Sequence, residues 1–307
     1  MSKLTVFAVG GTGANIAKRI GDLDINVVFV DTSESNLKSV TTNNVFLVEG
    51  MDGAGKKMAD TYENFKDIAT DVFLKHPPSE FLNVVIGSLS GGSGSVMGPL
   101  LASHLVDSGK NTVAIGVVSE QSTTEIDNAK KSLRSYRGRV NAIEKPISLF
   151  YVEGNTRSEA DKTALHLINL LALLVDKKHT EEFDTADLKS FLFFDRVTDN
   201  APTVAILDVM PNEAFNPEKG TSVVGTILMT KDSGARIEPV LPEYMSTCLV
   251  TDPAYKNEDI RINSVLGKFS LILDNLENKL KTQSDTKHLN KVRDVEVKPT
   301  RDDGMCV

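Results

Sequence analysis

The chain has 307 residues, 40% of them apolar and 25% charged, ordinary proportions for a soluble globular protein with room for two domains or one large α/β domain. Acidic residues (42) outnumber basic ones (34) for a net charge of −8, which argues against direct binding of nucleic acid or an anionic membrane surface. Cys248 and Cys306 give no basis for a disulfide framework or a zinc site, and no run reaches signal-peptide or membrane-span length, so a cytoplasmic protein is expected.

Leu4 to Val9 reads as a first strand running into GGTGAN (Gly10, Gly11, Thr12, Gly13, Ala14, Asn15), after which Ile16, Ala17 and Ile20 open a helix. Asn26 to Val30 is a second strand ending in Asp31. Two glycines in a turn, a helix and an acid after the second strand approach a dinucleotide-binding fingerprint, with Ile16 in place of the third glycine. A phosphate or ribose is therefore expected near Gly11 to Asn15. Val45 to Val48 makes a third strand. The following GMDGAGKK approaches a P-loop but carries Lys57 where the magnesium-binding hydroxyl belongs, and reads better as a loop closing over phosphates.

The most informative stretch is GSLSGGSGSVMGP, Gly87 to Pro99. It follows the apolar run Phe81 to Ile86, a buried strand, and precedes Leu100, Leu101, Leu105 and Val106, one face of a helix. Glycine in a strand-to-helix turn lets successive N–H groups face one concavity, and the helix start behind them favours negative charge. The guest implied is a phosphate chain. Strands at Thr112 to Val118 and Ile147 to Val152, with a helix around Ala129 to Tyr136 between them, continue the alternation of a parallel sheet with helices on both faces.

From Ser158 to Lys177 the apolar residues cover nearly the whole circumference of a helix, which predicts burial on every side. Beyond it, Thr203 to Met210, Ser222 to Met229, Arg236 to Leu241 and Ser246 to Thr251 read as strands of a smaller mixed sheet in a second domain. Ile262, Val265, Leu266, Phe269, Ile272, Leu273, Leu276 and Leu280 keep the spacing of a last long helix, and from about Ser284 the chain turns polar and ends as an extended tail.

SGGSGS (Ser90, Gly91, Gly92, Ser93, Gly94, Ser95) resembles the glycine-rich signature of the tubulin/FtsZ superfamily. GGTGAN, the GAG of Gly53, Ala54 and Gly55, Asp161 on the buried helix and the D-x-x-D of Asp184 and Asp187 follow in that superfamily's order. The serine at 93, the long final helix and the tail make the chain similar to the tubulins of large bacteriophages; Val96 departs from the signature's last glycine. The resemblance implies a GTP-binding domain (1–157), a central helix (158–180), an activation domain with a catalytic loop (181–257), and a C-terminal helix and tail (258–307). It implies that Gly10 to Asn15 and Ser90 to Ser95 hold the phosphates of GTP with Mg2+, that Gly53 to Gly55 cover the γ-phosphate, and that Asp161 reads the guanine edge. Arg157 stands where an aromatic often stacks on the base. Asp184 and Asp187 would act on the nucleotide of a neighbouring subunit in a head-to-tail homopolymer gripped by the tail. Such filaments would position phage DNA or a replication compartment in the host cytoplasm. Asp184 also reads as the N-cap of the helix DLKSFLFF, with Asp187 favouring its first turn; both roles are compatible. Two rivals are a nucleotide-binding filament scaffold without hydrolysis and, from GGTGAN and Asp31, an NAD(P)-dependent oxidoreductase.

Overall fold

The computed structural model describes residues 2–21, 23–49, 67–175, 184–211, 218–230, 245–250 and 259–296, with the backbone alone for 245–250 and 283–296. The chain alternates β1 (Leu4–Val9), α1 (Gly10–Ala17), β2 (Ile25–Asp31), α2 (Glu34–Leu37), β3 (Val45–Leu47), α3 (Ile68–Lys75), β4 (Leu82–Ser88), α4 (Ser93–Asp107), β5 (Thr112–Val117), α5 (Thr123–Ile143), β6 (Ile147–Val152) and α6 (Arg157–Val175). There follow α7 (Thr185–Leu192), β7 (Val204–Pro211), β8 (Ser222–Met229), β9 (Met245–Val250), β10 (Ile260–Leu266) and α8 (Lys268–Glu296). Among the described residues the strands form one sheet in the order β3-β2-β1-β4-β5-β6-β7-β10-β8-β9. Pairing is parallel from β3 through β7, antiparallel where β10 meets β7 and β8, and parallel again at β9.

Every residue of β1 and β5 is buried, the pattern of a strand covered on both faces. The chain winds outward from β1 in one direction and from β4 in the other. The right-handed crossover rule then places the connections through α1 and α4 on opposite faces, and the carboxyl ends of β1 and β4 border the crevice where the order reverses. The expected mixed half is present, and β6–β7 pairing joins it to the parallel half edge to edge.

Several expectations shift. α4 begins at Ser93, inside the glycine-rich run, and carries Pro99 in its interior. Proline has no N–H to give the carbonyl of Ser95, and the hydroxyl of Ser132 on α5 donates to it instead, at 2.9 Å. α6 is not buried all round, since Lys162, Thr163 and His166 are exposed. Ile262, Val265 and Leu266 lie on β10, and the helix starts only after Gly267, whose φ of +82° suits the corner. A Cβ there would fall 2.2 Å from the carbonyl oxygen of Gly220. α8 continues past Ser284 to Glu296. Arg236 to Leu241, Gly53 to Gly55 and the tail from 297 lie outside the described residues. Among the described residues no helix is long and apolar enough to cross a membrane.

Candidate nucleotide site

Two turns meet at the reversal point. Gly10 opens α1 with φ +68°, and a Cβ on it would lie 3.1 Å from the backbone nitrogen of Gly94. Gly94 is itself tight, with Ser88 N 2.9 Å from its own hypothetical Cβ. Both helices start without a side-chain cap and without an acid in the first turn. Their first N–H groups therefore lack local partners, and two positive helix ends converge on one crevice. Gly11, Thr12, Gly91, Gly92 and Ser93 are partly exposed there, whereas Gly10, Gly13, Ser90, Gly94 and Ser95 are buried.

The serines divide by task. Ser88 Oγ accepts from the amides of Ser90 (3.2 Å) and Gly91 (3.0 Å), fixing the start of the loop. Ser90 Oγ donates to the carbonyl of Ser119 at 2.7 Å and accepts from its amide at 2.9 Å, while Asn128 on α5 donates to the Ser90 carbonyl. Ser95 Oγ donates back to the carbonyls of Gly91 and Gly92. Ser90 and Ser95 thus shape the loop with their hydroxyls turned into the protein. Ser93 Oγ is the hydroxyl at the crevice, 2.7 Å from Thr32 Oγ1.

Asp31 has no free edge. One oxygen accepts from the amides of Thr32 (2.7 Å) and Ser33 (3.1 Å), and the other from Asn36 Nδ2 (3.0 Å). Burial raises its pKa above the usual carboxylate value, and these bonds, with Lys18 nearby, pull it partly back. Asp31 builds the turn that delivers Thr32 to Ser93 and Asn36 to Gly11, which removes the ribose ligand that the oxidoreductase reading needs.

Beside the crevice lies a cavity of about 220 Å³ lined by Thr12, Ser88, Glu120, Gly154, Asn155 and Arg157, among others. Asp161 is one turn beyond Arg157 on α6 and 7% exposed. Its Oδ1 is buried without a hydrogen-bond partner, and its Oδ2 is 3.7 Å from Arg19 Nη2. Asn15 is exposed on α1, four residues before Arg19. α1 has eight residues and so is about 12 Å long; Gly10 stands at its start, and Arg19, which meets Asp161, lies two residues beyond its end.

Asp184 and Asp187 stand apart from this crevice at the start of α7, which packs on β8 and β9. Asp184 Oδ1 accepts from the amides of Ala186 (2.7 Å) and Asp187 (3.0 Å), and Asp187 Oδ2 accepts from the Asp184 amide (3.2 Å). Asp184 is thus the N-cap read from the sequence, and Asp187 returns a bond that completes a capping box. Asp184 remains exposed and Asp187 partly so. Sequence reasoning named Ser88 only as part of the glycine-rich stretch and missed Thr32 and Arg19. The last had a signal, its spacing of four from Asn15.

No protein-family model matches the chain. The phage tubulin-like protein of Pseudomonas phage phiKZ is 25% identical over 281 residues, covering 87% of this chain and 78% of that protein. The phage tubulin-like protein of Pseudomonas phage PhiPA3 is 29% identical over 196 residues, 62% of this chain; the match spans only 61% of that relative's length. Among solved structures, a protofilament of TubZ from bacteriophage PhiKZ superposes with a TM-score of 0.82 at 20% identity, covering 100% of this chain and 96% of that one. The phage tubulin PhuZ with GDP superposes with a TM-score of 0.83 at 22% identity, covering 94% and 93%. The fold is that of the tubulin/FtsZ superfamily, and within it the chain resembles the bacteriophage tubulins.

Proposed function

We propose that the chain binds GTP across the β1–β4 crevice and polymerises head to tail, hydrolysing the nucleotide at the interface between subunits. The observation that carries this is the convergence of two uncapped helix starts at Gly10 and Ser93, one short helix away from a buried carboxylate with an unsatisfied oxygen. The first arrangement suits a polyphosphate and the second a base edge with adjacent N–H donors, which guanine presents and adenine does not. That a phage tubulin was solved with GDP, and that related proteins were solved as filaments, supports the same reading.

In this reading the amides of Gly11, Thr12, Gly91, Gly92 and Ser93 bind phosphate, with Gly53 to Gly55 closing over it, and Asp161 reads the base. Asn15 lies near the sugar or base. Magnesium, when bound, would neutralise phosphate charge; among the described residues no three acids, histidines or cysteines gather to hold a metal ion. α6 has 19 residues and spans about 28 Å, which keeps Asp184 and Asp187 from their own subunit's nucleotide and offers them to the next subunit's. A heterologous contact that does not close produces a filament. The tail from Arg301 to Val307 would grip the neighbour, raising the effective concentration of subunits.

Light scattering of the full chain and of a chain lacking Arg301 to Val307, each with GTP, GDP or ATP, tests this. GTP alone is expected to drive assembly, and the truncated chain is expected to need several-fold more protein to assemble. Assembly indifferent to the nucleotide overturns the reading of the crevice, and an unchanged threshold overturns the role of the tail.

A further inference from the structure

We infer that Arg19 is a positioning residue for base recognition, acting through Asp161; this rests on the guanine-nucleotide reading above. Arg19 lies in the turn that ends α1, its amide bonded to the carbonyl of Ile16 at 3.0 Å, and buried Ile16 and Ala17 fix that turn against the core. Its neighbour Lys18 is committed elsewhere, with Nζ donating to the Asn36 carbonyl (2.8 Å) and to Ser39 Oγ (2.7 Å). Arg19 is therefore the cation of this turn that meets the α6 carboxylate.

The geometry divides the labour between the two residues. At 3.7 Å the guanidinium balances the charge of Asp161 without a hydrogen bond to Oδ2. Oδ1, buried, has no donor at all. A carboxylate in this state keeps lone pairs on both oxygens, the requirement for accepting two adjacent N–H groups from one flat ring edge. A buried polar group without a partner is costly, and a ligand that supplies the missing donors recovers that cost on binding. With its side chain 49% exposed, Arg19 adds little to the stability of the fold through this pair. Its contribution falls instead when the base enters and strips water from Asp161, leaving the guanidinium as the charge that offsets the carboxylate. Arg157 serves a different part of the site, since it lines the cavity beside Thr12 and Gly154.

The test is a double-mutant cycle on the full chain. Dissociation constants for GTP, ITP and ATP are measured by calorimetry for wild type, Arg19→Ala, Asp161→Ala and the double variant, with Arg19→Lys as the charge-conserving control and a melting curve for each. Arg19→Ala is expected to weaken GTP roughly tenfold, with ITP, which lacks the 2-amino donor, weakened less and ATP unchanged. Arg19→Lys should recover part of the loss, and in the Asp161→Ala background Arg19→Ala should cost nothing further. Equal cost in both backgrounds, or equal weakening of all three nucleotides, overturns the positioning role. The guanine reading is judged on the wild type alone: equal affinity for GTP and ATP overturns it, and the assignment of Arg19 with it.

Discussion

Asp31 shows how one side chain can serve as scaffold while resembling a ligand-binding group. Desolvation is the largest influence on its carboxyl and raises the pKa from the ordinary 3.8; the bonds from Asn36, Ser33 and Thr32 oppose it. The folded chain therefore holds this proton more tightly than the unfolded chain does. Between 3.8 and the raised folded value, folding takes up a proton, so this residue's contribution to stability falls as pH rises through that window and is level above it. Asp31→Asn, which cannot ionise, should gain on wild type as pH rises across the same window and track it at higher pH. Urea unfolding at stepped pH measures this, and identical pH profiles for the two proteins would contradict it.

At the scale of the element, close approach decides what a glycine is for. A Cβ on Gly13 would lie 2.5 Å from the Ile86 carbonyl oxygen and 2.9 Å from the Ala8 carbonyl carbon, both backbone atoms that cannot swing away. Gly13→Ala must lift α1 from β1 and β4, at a cost of about 2–4 kcal/mol that outweighs the gain of about 1 kcal/mol in helix propensity. Gly138, inside α5 with open space around it, is the control: Gly138→Ala should gain about 0.5–1 kcal/mol. Denaturant midpoints should move in opposite directions, and a shared sign would contradict the packing argument. Close approach also marks the boundary of what could be read from the chain. Strands β1, β6 and β8 were legible to the residue, because a buried run of apolar and β-branched residues is a local signal. The boundary of β10 and α8 was not, since Ile262, Val265 and Leu266 imitate helical spacing and only Gly267 marks the corner. In the site, the glycine runs were legible as tight strand-to-helix turns, whereas the role of Asp161 is implied only by the resemblance. The inward aim of Ser90 and Ser95, the closed shell of Asp31 and the approach of Arg19 depend on elements distant in sequence, and residue order does not carry them.

For the whole molecule the informative feature is the separation of binding from the proposed chemistry. The turns at Gly10 and Ser93 offer amides and hydroxyls, and Asp161 is the buried carboxylate to which the proposed function gives the base. Asp184, exposed, and Asp187, partly so, cap α7 on the mixed half of the sheet, beyond the length of α6. In the proposed function a monomer so built has little beside the crevice to orient an attacking water, and a head-to-tail contact would supply the missing group. α8 bridges the two halves, since its Lys268 pairs with Asp208 on β7 while its Glu277 pairs with Arg134 of α5 and its Lys279 with Glu120 after β5. The most direct test mixes two defective proteins. Asp161→Ala retains the acidic loop and is expected to bind nucleotide poorly, whereas Asp187→Ala is expected to bind nucleotide but lacks one acid. Phosphate release is measured for each alone and for equimolar mixtures at the same total protein. If one subunit's loop acts on the next subunit's nucleotide, the mixture should release phosphate several-fold faster than the mean of the two separate rates. A mixture no faster than that mean would contradict hydrolysis across the interface.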